Sequence, residues 1–373
     1  MAADDRIIPA DTLTTFIAAI FRATTCSPDE AARIAHHLVS ANLTGHDSHG
    51  VIRTPRYVDY LATGLVHRDV TIEITAESPT HAVIDGHYGF GQTIGPQAVD
   101  LGIAKAKAAG MCIIALRKSG HIGRIGDWGE RAANAGLVSI HFVNVENGEL
   151  VAPFGGTSRR FSTNPFCICI PGAGGASEKT GLPNQPHLLL DFATSLVAEG
   201  KVLVASRGGK PLPDGALITD TGALSTDPAT LYGPLTEGGP RDPKNGTGAI
   251  RAFGDHKGSG LAFMCDILGG ILTGGGPSGP VPGGKRGQIS NGMFSIYLDP
   301  THFGAQSFVA QAKDFADYVK SSHPAAGTDE VLVPGEAEHR TRQSRLQNGV
   351  PLQRDTWNSL TTIAHSLNVA IPN

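Results

Sequence analysis

The sequence predicts an α/β (α+β) protein built on a mixed sheet with flanking helices. Two observations lead to this fold class. Strand-type stretches alternate with stretches whose apolar residues recur at helical spacing along the 373 residues, as is typical of proteins that combine helices with a sheet. Several successive strands are nevertheless too close in sequence for a helix to cross between them, so some neighbouring strands must be antiparallel.

The helix before the first polar cluster is predicted from its capping signals. Residues 28–44 keep helical spacing of their apolar side chains. Ser27 is a suitable N-cap, Pro28 fits the first helical position, and Glu30 completes a capping box. Gly45 can close this helix as a C-cap residue.

The remaining elements follow from the same signals of periodicity, capping and turn residues. The predicted helices cover residues 12–23, 55–63, 96–109, 125–135, 306–321 and 355–367, with a helix start at Phe192–Ser195 and a long apolar helix opened by Gly254–Gly260 and reaching Leu272. The predicted strands cover residues 71–76, 81–84, 111–116, 137–143, 166–170, 188–190, 293–298 and 330–333. Segments rich in turn residues at 171–186, 207–250 and 273–288 are predicted loops.

Composition and charge exclude several classes of function. The net charge is −4 and the pI is 6.4, so the chain lacks the basic surface that binds nucleic acid or an anionic membrane. Met1–Asp11 is polar, and no run approaches the roughly 18 apolar residues of a membrane span. The 5 cysteines are an odd number scattered over a long chain, which fits a reducing compartment. We therefore expect a cytoplasmic protein.

The polar cluster Gly45–Gly50, with Arg53 just beyond it, is the stretch that points most directly to chemistry. Its sequence GHDSHG places two imidazoles, a carboxylate and a hydroxyl between glycines. A tight loop between two helices is a rigid mount for such groups. His49 is the first candidate acid/base, because an ordinary histidine exchanges protons near neutral pH. Asp47 or Asp191 is the candidate carboxylate that orients it.

Other interpretations of this cluster stay open on the sequence alone. His49 can instead be a structural residue that caps a helix. His46, Asp47 and His49 can also be metal ligands of a hydrolase, but no third ligand follows the histidine pair at a suggestive spacing, so we expect no metal. Ser48 lacks a nucleophile elbow and is predicted to form hydrogen bonds only. Arg53 suits the carboxylate of a small organic acid, or else forms a surface ion pair.

Two glycine-rich stretches further along the chain frame other candidates. Gly86–Gly95 resembles a dinucleotide fingerprint, but its spacing is G-x-G-x-x-x-G and no acidic residue closes a following strand. An ordinary Rossmann site is therefore not expected. His121 lies between glycines where a strand ends and a helix begins, which is a common position for catalytic groups. A buried structural histidine is the alternative there.

Three polar residues complete the set of candidates from residue type and position. Asn164 precedes a proline and can bond a substrate, although such an asparagine often only forms a turn. Asp191 follows a strand, where it can satisfy an anion or a ribose hydroxyl together with Phe192–Ser195. Lys257 begins a helix and can meet a phosphate, or else is solvated.

Taken together, these segments resemble one family, the type-2 malate/L-lactate dehydrogenases. That family includes L-sulfolactate, ureidoglycolate and 2,3-diketogulonate-type enzymes and imine-reducing piperideine-2-carboxylate reductases. Seven pieces match in family order over about residues 10–340, and it is their order that makes the resemblance specific. They are Gly45–Gly50 with Arg53, Pro55 and Tyr57; Ser119–Gly123; Ala152–Gly156; Thr163–Pro165; Asp191–Ser195; His256–Gly258; and Val333–Glu336.

The resemblance implies NAD(P)-dependent hydride transfer on a non-Rossmann fold with a largely antiparallel sheet. It also implies a homodimer, with a helical support and dimerisation unit from residues 1–75 and 305–373 and a cofactor-binding and catalytic unit from residues 76–304. The substrate is expected to be a 2-hydroxy or 2-oxo acid of malate, lactate, sulfolactate or ureidoglycolate type, or a cyclic imino acid. The resemblance leaves the choice between NAD and NADP open.

The resemblance also implies a role for each matching residue. His49 and His121 are the acid/base candidates, supported by Ser48 and Asp191, and the family leaves open which histidine moves the proton. The substrate residues are Arg53, Tyr57, Thr163 and Asn164. The cofactor residues are His121, Asp191, Phe192, Ala193, Thr194, Lys257, Pro334, Gly335 and Glu336. Arg159 and Arg160 depart from the matching pieces and can admit a second anionic group, meet a 2′-phosphate or lie at the surface.

Overall fold

The computed structural model describes residues 6–172, 186–206, 208–236, 241–279 and 290–372. Its helices are α1 (Ala10–Ala23), α2 (Pro28–Leu43), α3 (Thr54–Ala62), α4 (Gly91–Ala109), α5 (Gly126–Asn134), α6 (Glu199–Ser206), α7 (Ala229–Tyr232), α8 (His256–Cys265), α9 (Phe308–Lys320), α10 (Glu336–Asn348) and α11 (Arg354–Ser366). Its strands are β1 (Arg6–Ile8), β2 (Glu73–Ser78), β3 (His81–Asp85), β4 (Met111–Ser119), β5 (Val138–Glu146), β6 (Val151–Ala152), β7 (Phe166–Ile170), β8 (Leu188–Phe192), β9 (Leu217–Ile218), β10 (Leu224–Ser225), β11 (Ala249–Arg251), β12 (Ser290–Leu298) and β13 (Val350–Leu352). Parts of the predicted loops at 171–186, 207–250 and 273–288 lie outside the described residues.

A seven-stranded sheet in the order β2-β3-β4-β12-β5-β7-β8 forms the centre of the fold. Every neighbouring pair is antiparallel except β3 and β4, which are parallel and are joined through α4. A helix between parallel neighbours is the crossover that such a pair requires. The predicted fold class, a mixed and largely antiparallel sheet with flanking helices, is therefore confirmed.

Helices α4 and α5 pack on the central sheet. Ile84, Ile114 and Leu116 from the strands form one buried cluster with Ile94 from α4 and Trp128 from α5. Burial of each side chain of this size stabilises the fold by about 1.5–3 kcal/mol. This packing fixes the first turns of both helices, and it is these turns that carry the glycine-rich stretches singled out in the sequence.

A second core joins the two ends of the chain. Strand β1 pairs with β13, with Arg6 opposite Leu352 and Ile8 opposite Val350. Helices α1, α2, α3 and α11 share the same hydrophobic cluster, in which Phe21 is fully buried. The predicted support unit draws on both chain ends in the same way, but its limits at residues 75 and 305 stay a prediction.

A small four-stranded sheet in the order β10-β9-β11-β6 encloses a third cluster. Its strands are two or three residues long. Such short strands leave no periodicity in the sequence, which explains why the sheet was not predicted. No helix within the described ranges is long and apolar enough to cross a membrane.

Three element predictions are wrong in their limits or their type. Helix α4 begins at Gly91 rather than at Pro96, because the buried first turn outweighs the one backbone bond that the proline removes. The helix predicted from Phe192–Ser195 begins only at Glu199. Residues 330–333 alternate like a strand, but they form none, since no strand pairs with them.

Helix α10 was missed because its sequence is polar almost throughout. None of its residues is buried, so no apolar stripe marks it. Its contacts with the rest of the fold are ionic, through Arg342 to Glu130 at 2.8 Å and through Arg345 to Asp47 at 2.7 Å. Sequence periodicity does not detect a helix that is held in this way.

Candidate active site

Asn42 fixes the shape of the polar loop. Its Nδ2 donates to Oδ1 of Asp47 at 2.6 Å, and its Oδ1 accepts from the backbone N–H of Val51 at 2.8 Å. A Cβ atom at Gly50 would lie 2.2 Å from that same oxygen, so only glycine permits the approach. The loop consequently folds into two 3-10 turns, Asp47–His49 and Val51–Arg53, between α2 and α3.

Helix α10 holds the first two polar residues of the loop. Arg345 contacts both carboxylate oxygens of Asp47, at 2.7 and 3.1 Å, and Glu338 lies 3.6 Å from Nε2 of His46. Asp47 is therefore engaged by Arg345, and the prediction that it orients His49 is wrong. Within the described ranges, no group of three or more His, Cys, Asp or Glu side chains is placed to hold a metal ion. The alternative of a metal-dependent hydrolase thus finds no support.

His49 and His121 stack against each other. Their ring centroids are 5.3 Å apart and their planes differ by 6°. Burial, reinforced by the nearby charge of Arg53, lowers the pKa of His49 to about 3. Burial and the same arginine also hold the pKa of His121 well below its ordinary value. Both imidazoles are therefore neutral near pH 7, and buried Nδ1 of His49 has no hydrogen-bond partner in the described part of the chain.

A hydroxyl, and not a carboxylate, holds the ring of His121. Oη of Tyr57 lies 2.5 Å from Nδ1 of His121. Nε2 of Gln92 lies 3.1 Å from that Oη and 3.3 Å from the backbone oxygen of His121. Tyr57 and Gln92 are both buried, and burial raises the pKa of Tyr57, which keeps its hydroxyl protonated. The hydroxyl of Tyr57, predicted to contact substrate, thus faces the histidine.

Arg53 and Ser48 line a cavity of about 630 Å³. Nε of Arg53 donates to the backbone oxygen of Ser48 at 2.6 Å, whereas its two Nη atoms have no partner among the described residues. The cavity has the size of a small-molecule site. His49 and His121 do not line it; they adjoin it through the loop that carries Ser48 and Arg53. Other lining residues include the apolar Leu196, Val197 and Leu203 and the cationic Arg56, Lys201 and Lys210.

Asp191 is linked to the loop of His121 but not to its ring. Its Oδ2 accepts from the backbone N–H of Gly126 at 2.7 Å, where that loop ends. In the described part of the chain it forms no hydrogen bond to His49 or His121, so the orienting role expected of it is not seen. Its Oδ1 has no hydrogen-bond donor in that part of the chain. Burial raises the pKa of this carboxyl group.

The turn Pro334–Glu336 lies beside strand β8. The backbone oxygen of Pro334 accepts from the N–H of Leu189 at 3.2 Å. Oε2 of Glu336 accepts from the N–H of Val333 at 3.0 Å and its other oxygen pairs with Lys320. The structure therefore brings Pro334, Gly335 and Glu336 next to the strand that ends in Asp191 and Phe192, although they are distant in sequence.

The remaining predicted cofactor residues follow β8 directly. Phe192 packs edge-to-face against Phe253 at 5.3 Å, and Thr194 accepts from the N–H of Phe253 at 3.0 Å. These contacts bring half-buried Ala193 and the start of α8, with exposed Lys257, to the same end of the strand.

Thr163 and Asn164, predicted to contact substrate, form hydrogen bonds within the fold. Asn164 is fully buried, and its Nδ2 donates to Asp266 at 2.8 Å and to the backbone oxygen of Ala262 at 3.1 Å. Half-buried Thr163 accepts through its backbone oxygen from the hydroxyl of Thr194 at 3.0 Å. The amide nitrogen of Asn164 is thus engaged by the protein, and the substrate role of both residues stays a prediction.

The guanidinium of Arg159 binds backbone oxygens of the predicted loop 207–250 and is therefore not directed at an anionic ligand. Its guanidinium donates to the backbone oxygens of Gly248 at 2.7 Å, Gly246 at 2.9 Å and Leu231 at 3.1 Å, and also to Pro243. The predicted roles in meeting a second anionic group or a 2′-phosphate are therefore wrong for Arg159. Exposed Arg160 bonds only to the backbone of its neighbour among the described residues.

Comparison with known proteins gives one consistent answer. A family model described as malate/L-lactate dehydrogenase matches residues 8–361. Hydroxycarboxylate dehydrogenase B of Escherichia coli O157:H7 is 40% identical over 361 residues, covering 96% of this chain and 94% of the relative. L-sulfolactate dehydrogenase of Methanocaldococcus jannaschii is 34% identical over 349 residues, covering 92% of each chain. The solved structure of malate dehydrogenase from Pyrococcus horikoshii OT3 superposes with a TM-score of 0.83 at 30% identity, covering 99% of this chain and 97% of that one.

Proposed function

Because the chain belongs to the malate/L-lactate dehydrogenase family and is thus a dehydrogenase of hydroxy acids, we propose that it transfers a hydride between NAD or NADP and a small 2-hydroxy or 2-oxo acid. The proposed substrates are of malate, lactate, sulfolactate or ureidoglycolate type, with a related cyclic imino acid as a further member. The observation that carries the proposal is the stacked pair of neutral imidazoles beside a guanidinium whose two Nη atoms have no partner among the described residues.

Arg53 holds the carboxylate of the substrate in this proposal. A guanidinium binds a carboxylate through two parallel N–H donors. The bond from Nε to Ser48 restrains the plane of the group, and both Nη atoms of this cavity-lining residue lack a partner in the described part of the chain. Ser48 and the apolar side chains Leu196 and Val197 complete a wall of mixed character, which suits an organic acid next to a flat, weakly polar ring.

The residues near β8 fit a dinucleotide that is bound outside a Rossmann fold. Oδ1 of Asp191 has no protein donor in the described part of the chain and can accept from a ribose hydroxyl. Phe192–Thr194, the turn Pro334–Glu336 and Lys257 lie around the same strand and complete the proposed cofactor site. A bound nicotinamide supplies or accepts the hydride, and the histidines move the proton.

His121 or His49 gives the proton to the carbonyl oxygen during reduction and takes it back during oxidation. Replacing the histidine that does so by Ala lowers kcat by about 10²–10⁴-fold. The test is a panel of 2-oxo acids and cyclic imines with NADH and with NADPH, followed at the nicotinamide absorbance, for the wild type and for His49→Ala and His121→Ala. No turnover on any member of the panel, or near-normal turnover in both variants, would contradict the proposal.

We also propose a cytoplasmic homodimer with a supporting unit of residues 1–75 and 305–373 and a catalytic unit of residues 76–304. All five cysteines are free and buried, which suits a reducing compartment. An exposed apolar stripe runs along α8 and the π-helical segment after it, formed by Phe263, Met264, Ile271 and Leu272. Exposed apolar patches of this kind often mark subunit interfaces. Light scattering in solution tests the dimer, and a monomeric mass at micromolar concentration would refute it.

A further inference from the structure

The hydrogen bonds that link Gln92, Tyr57 and His121 have a defined direction from donor to acceptor. Nε2 of Gln92 lies 3.3 Å from the backbone oxygen of His121, which can only accept a hydrogen bond. The amide nitrogen, and not the amide oxygen, must therefore face this region, although the oxygen on its other side is left unpaired. Exchanging the two atoms would place two oxygens against each other at 3.3 Å.

The direction of the first bond sets the direction of the second. Because the same Nε2 lies 3.1 Å from Oη of Tyr57, the amide donates to the hydroxyl oxygen. The hydroxyl then still has its own proton to place. Its remaining neighbour within hydrogen-bond distance, in the described part of the chain, is Nδ1 of His121 at 2.5 Å. Tyr57 is 3% exposed, and a buried hydroxyl is strongly disfavoured without an acceptor.

This direction decides which nitrogen of His121 carries the proton. A neutral imidazole has one N–H and one bare nitrogen. If Nδ1 accepts from Tyr57, then Nδ1 is bare and Nε2 is protonated. The opposite tautomer would aim an N–H of His121 and an N–H of Gln92 at one oxygen and leave the tyrosine proton without a partner.

The glycine-rich start of α4 brings Gln92 into this position. A Cβ atom at Gly91 would lie 2.3 Å from the backbone oxygen of His121, so the helix can approach the histidine loop only with glycine there. Gly89 accepts from the backbone N–H of Gly120 at 2.8 Å. The stretch that resembles a dinucleotide fingerprint is therefore packed against the catalytic loop.

We infer that Tyr57 and Gln92 are positioning residues that keep the proton of His121 on Nε2, the nitrogen left free to face a substrate. Tyr57 acts through the histidine and does not itself bind substrate. The tautomer follows from the protein alone, and only the kinetic consequence rests on the proposed function.

The tautomer is measured on the resting enzyme labelled with ¹⁵N-histidine. Two-bond ¹H–¹⁵N correlation spectra distinguish a bare from a protonated ring nitrogen, and His121→Gln identifies the signals. The wild type is expected to show His121 with bare Nδ1 and protonated Nε2. Tyr57→Phe is expected to release the ring into a mixture of both tautomers. A wild-type signal with the proton on Nδ1 would overturn the inference, whatever the enzyme catalyses.

A near-isosteric substitution of Gln92 reverses the direction of these hydrogen bonds. In its ionised form, the carboxylate that Gln92→Glu introduces can accept from the hydroxyl of Tyr57 but cannot donate to it. The hydroxyl oxygen is then free to accept from His121, so the proton is expected to move to Nδ1. An unchanged Nε2–H tautomer in both this variant and Tyr57→Phe would overturn the role of the chain, provided that both variants keep the wild-type circular dichroism.

The kinetic test separates positioning from binding. For the 2-oxo acid turned over best, Tyr57→Phe is expected to lower kcat by about 10–10²-fold and to change KM by less than about threefold. The matched control is Tyr60→Phe, which removes a hydroxyl one turn further along α3 that forms no hydrogen bond to His121 among the described residues. A rise in KM alone for Tyr57→Phe would mark a substrate contact and overturn the positioning role.

Discussion

Replacing Arg53 by Met tests the carboxylate site most directly. Methionine keeps the length and apolar volume of the arginine stem but removes the charge and all the N–H donors. The fork formed by the two Nη atoms would otherwise make two charge-assisted hydrogen bonds to the substrate, each worth about 1.5–3 kcal/mol. Allowing for water that partly replaces the lost donors, the loss is about 3–4 kcal/mol, or 10²–10³-fold in kcat/KM.

The assay compares a 2-oxo acid with its primary amide, which has no negative charge for Arg53 to bind. We expect Arg53→Met to lose 10²–10³-fold in kcat/KM on the acid, from the two charged bonds, and less than about tenfold on the amide. Arg53→Lys keeps the charge but not the fork and should lie between the two. Arg22→Met removes an exposed charge from α1 and serves as the control. A loss below tenfold on the acid, or an equal loss on both compounds, would refute the reasoning.

Two further predictions concern stability. Burial lowers the pKa of both His49 and His141 to about 3. As the pH falls below about 6.5, these histidines therefore take up protons in the unfolded chain but not in the folded protein. The free energy of unfolding should fall by about 2–3 kcal/mol per histidine between pH 7 and pH 4.5. Urea unfolding at the two pH values should show a fall in the free energy of unfolding that is smaller by about 2–3 kcal/mol in His141→Gln than in the wild type. An equal fall in the variant and the wild type would contradict this prediction. Arg159→Ala leaves four backbone oxygens without their donor and should lower the free energy of unfolding by about 2–4 kcal/mol. The control, Arg160→Ala, changes an exposed residue and should lower it by less than about 0.5 kcal/mol. Equal effects of the two substitutions would show that the guanidinium contacts are not stabilising.

Much of the fold could be predicted because its helices and longer strands have clear periods and caps. Helix α2 begins at Pro28 after the Ser27 cap, and the N–H of Glu30 donates to that serine, which is one half of the predicted capping box. The returning bond is wrong, because the N–H of Ser27 donates to Asp69 and the carboxylate of Glu30 accepts from Asp69 and Thr93. The strands of two or three residues and the polar helix α10 could not be predicted, since neither has an apolar pattern. Their positions depend on contacts between residues that are distant in sequence.

The types of residue in the site could be predicted from the sequence, but the contacts between them could not. His49, His121 and Arg53 were recognised from glycine-framed polar segments, and the structure brings the two histidines together. A carboxylate, from Asp47 or Asp191, was expected to orient His49, and no partner was predicted for the ring of His121. The hydroxyl of Tyr57 holds His121, and no sequence spacing relates this tyrosine to a histidine 64 positions away.

The neutral state of the imidazoles determines how the proposed reaction depends on pH. An imidazolium acid would lose tenfold in rate for each pH unit above its pKa. Burial holds the pKa of His121 well below its ordinary value, so the ring is neutral and has a single N–H to give. A neutral imidazole can act on a carbonyl oxygen that gains negative charge in the reaction, as this oxygen does when a hydride arrives. We therefore expect kcat/KM for reduction to be flat between about pH 6 and pH 8. A tenfold fall per unit across that range would show that the cation is the donor, and that the structure of the resting site does not represent the reacting one.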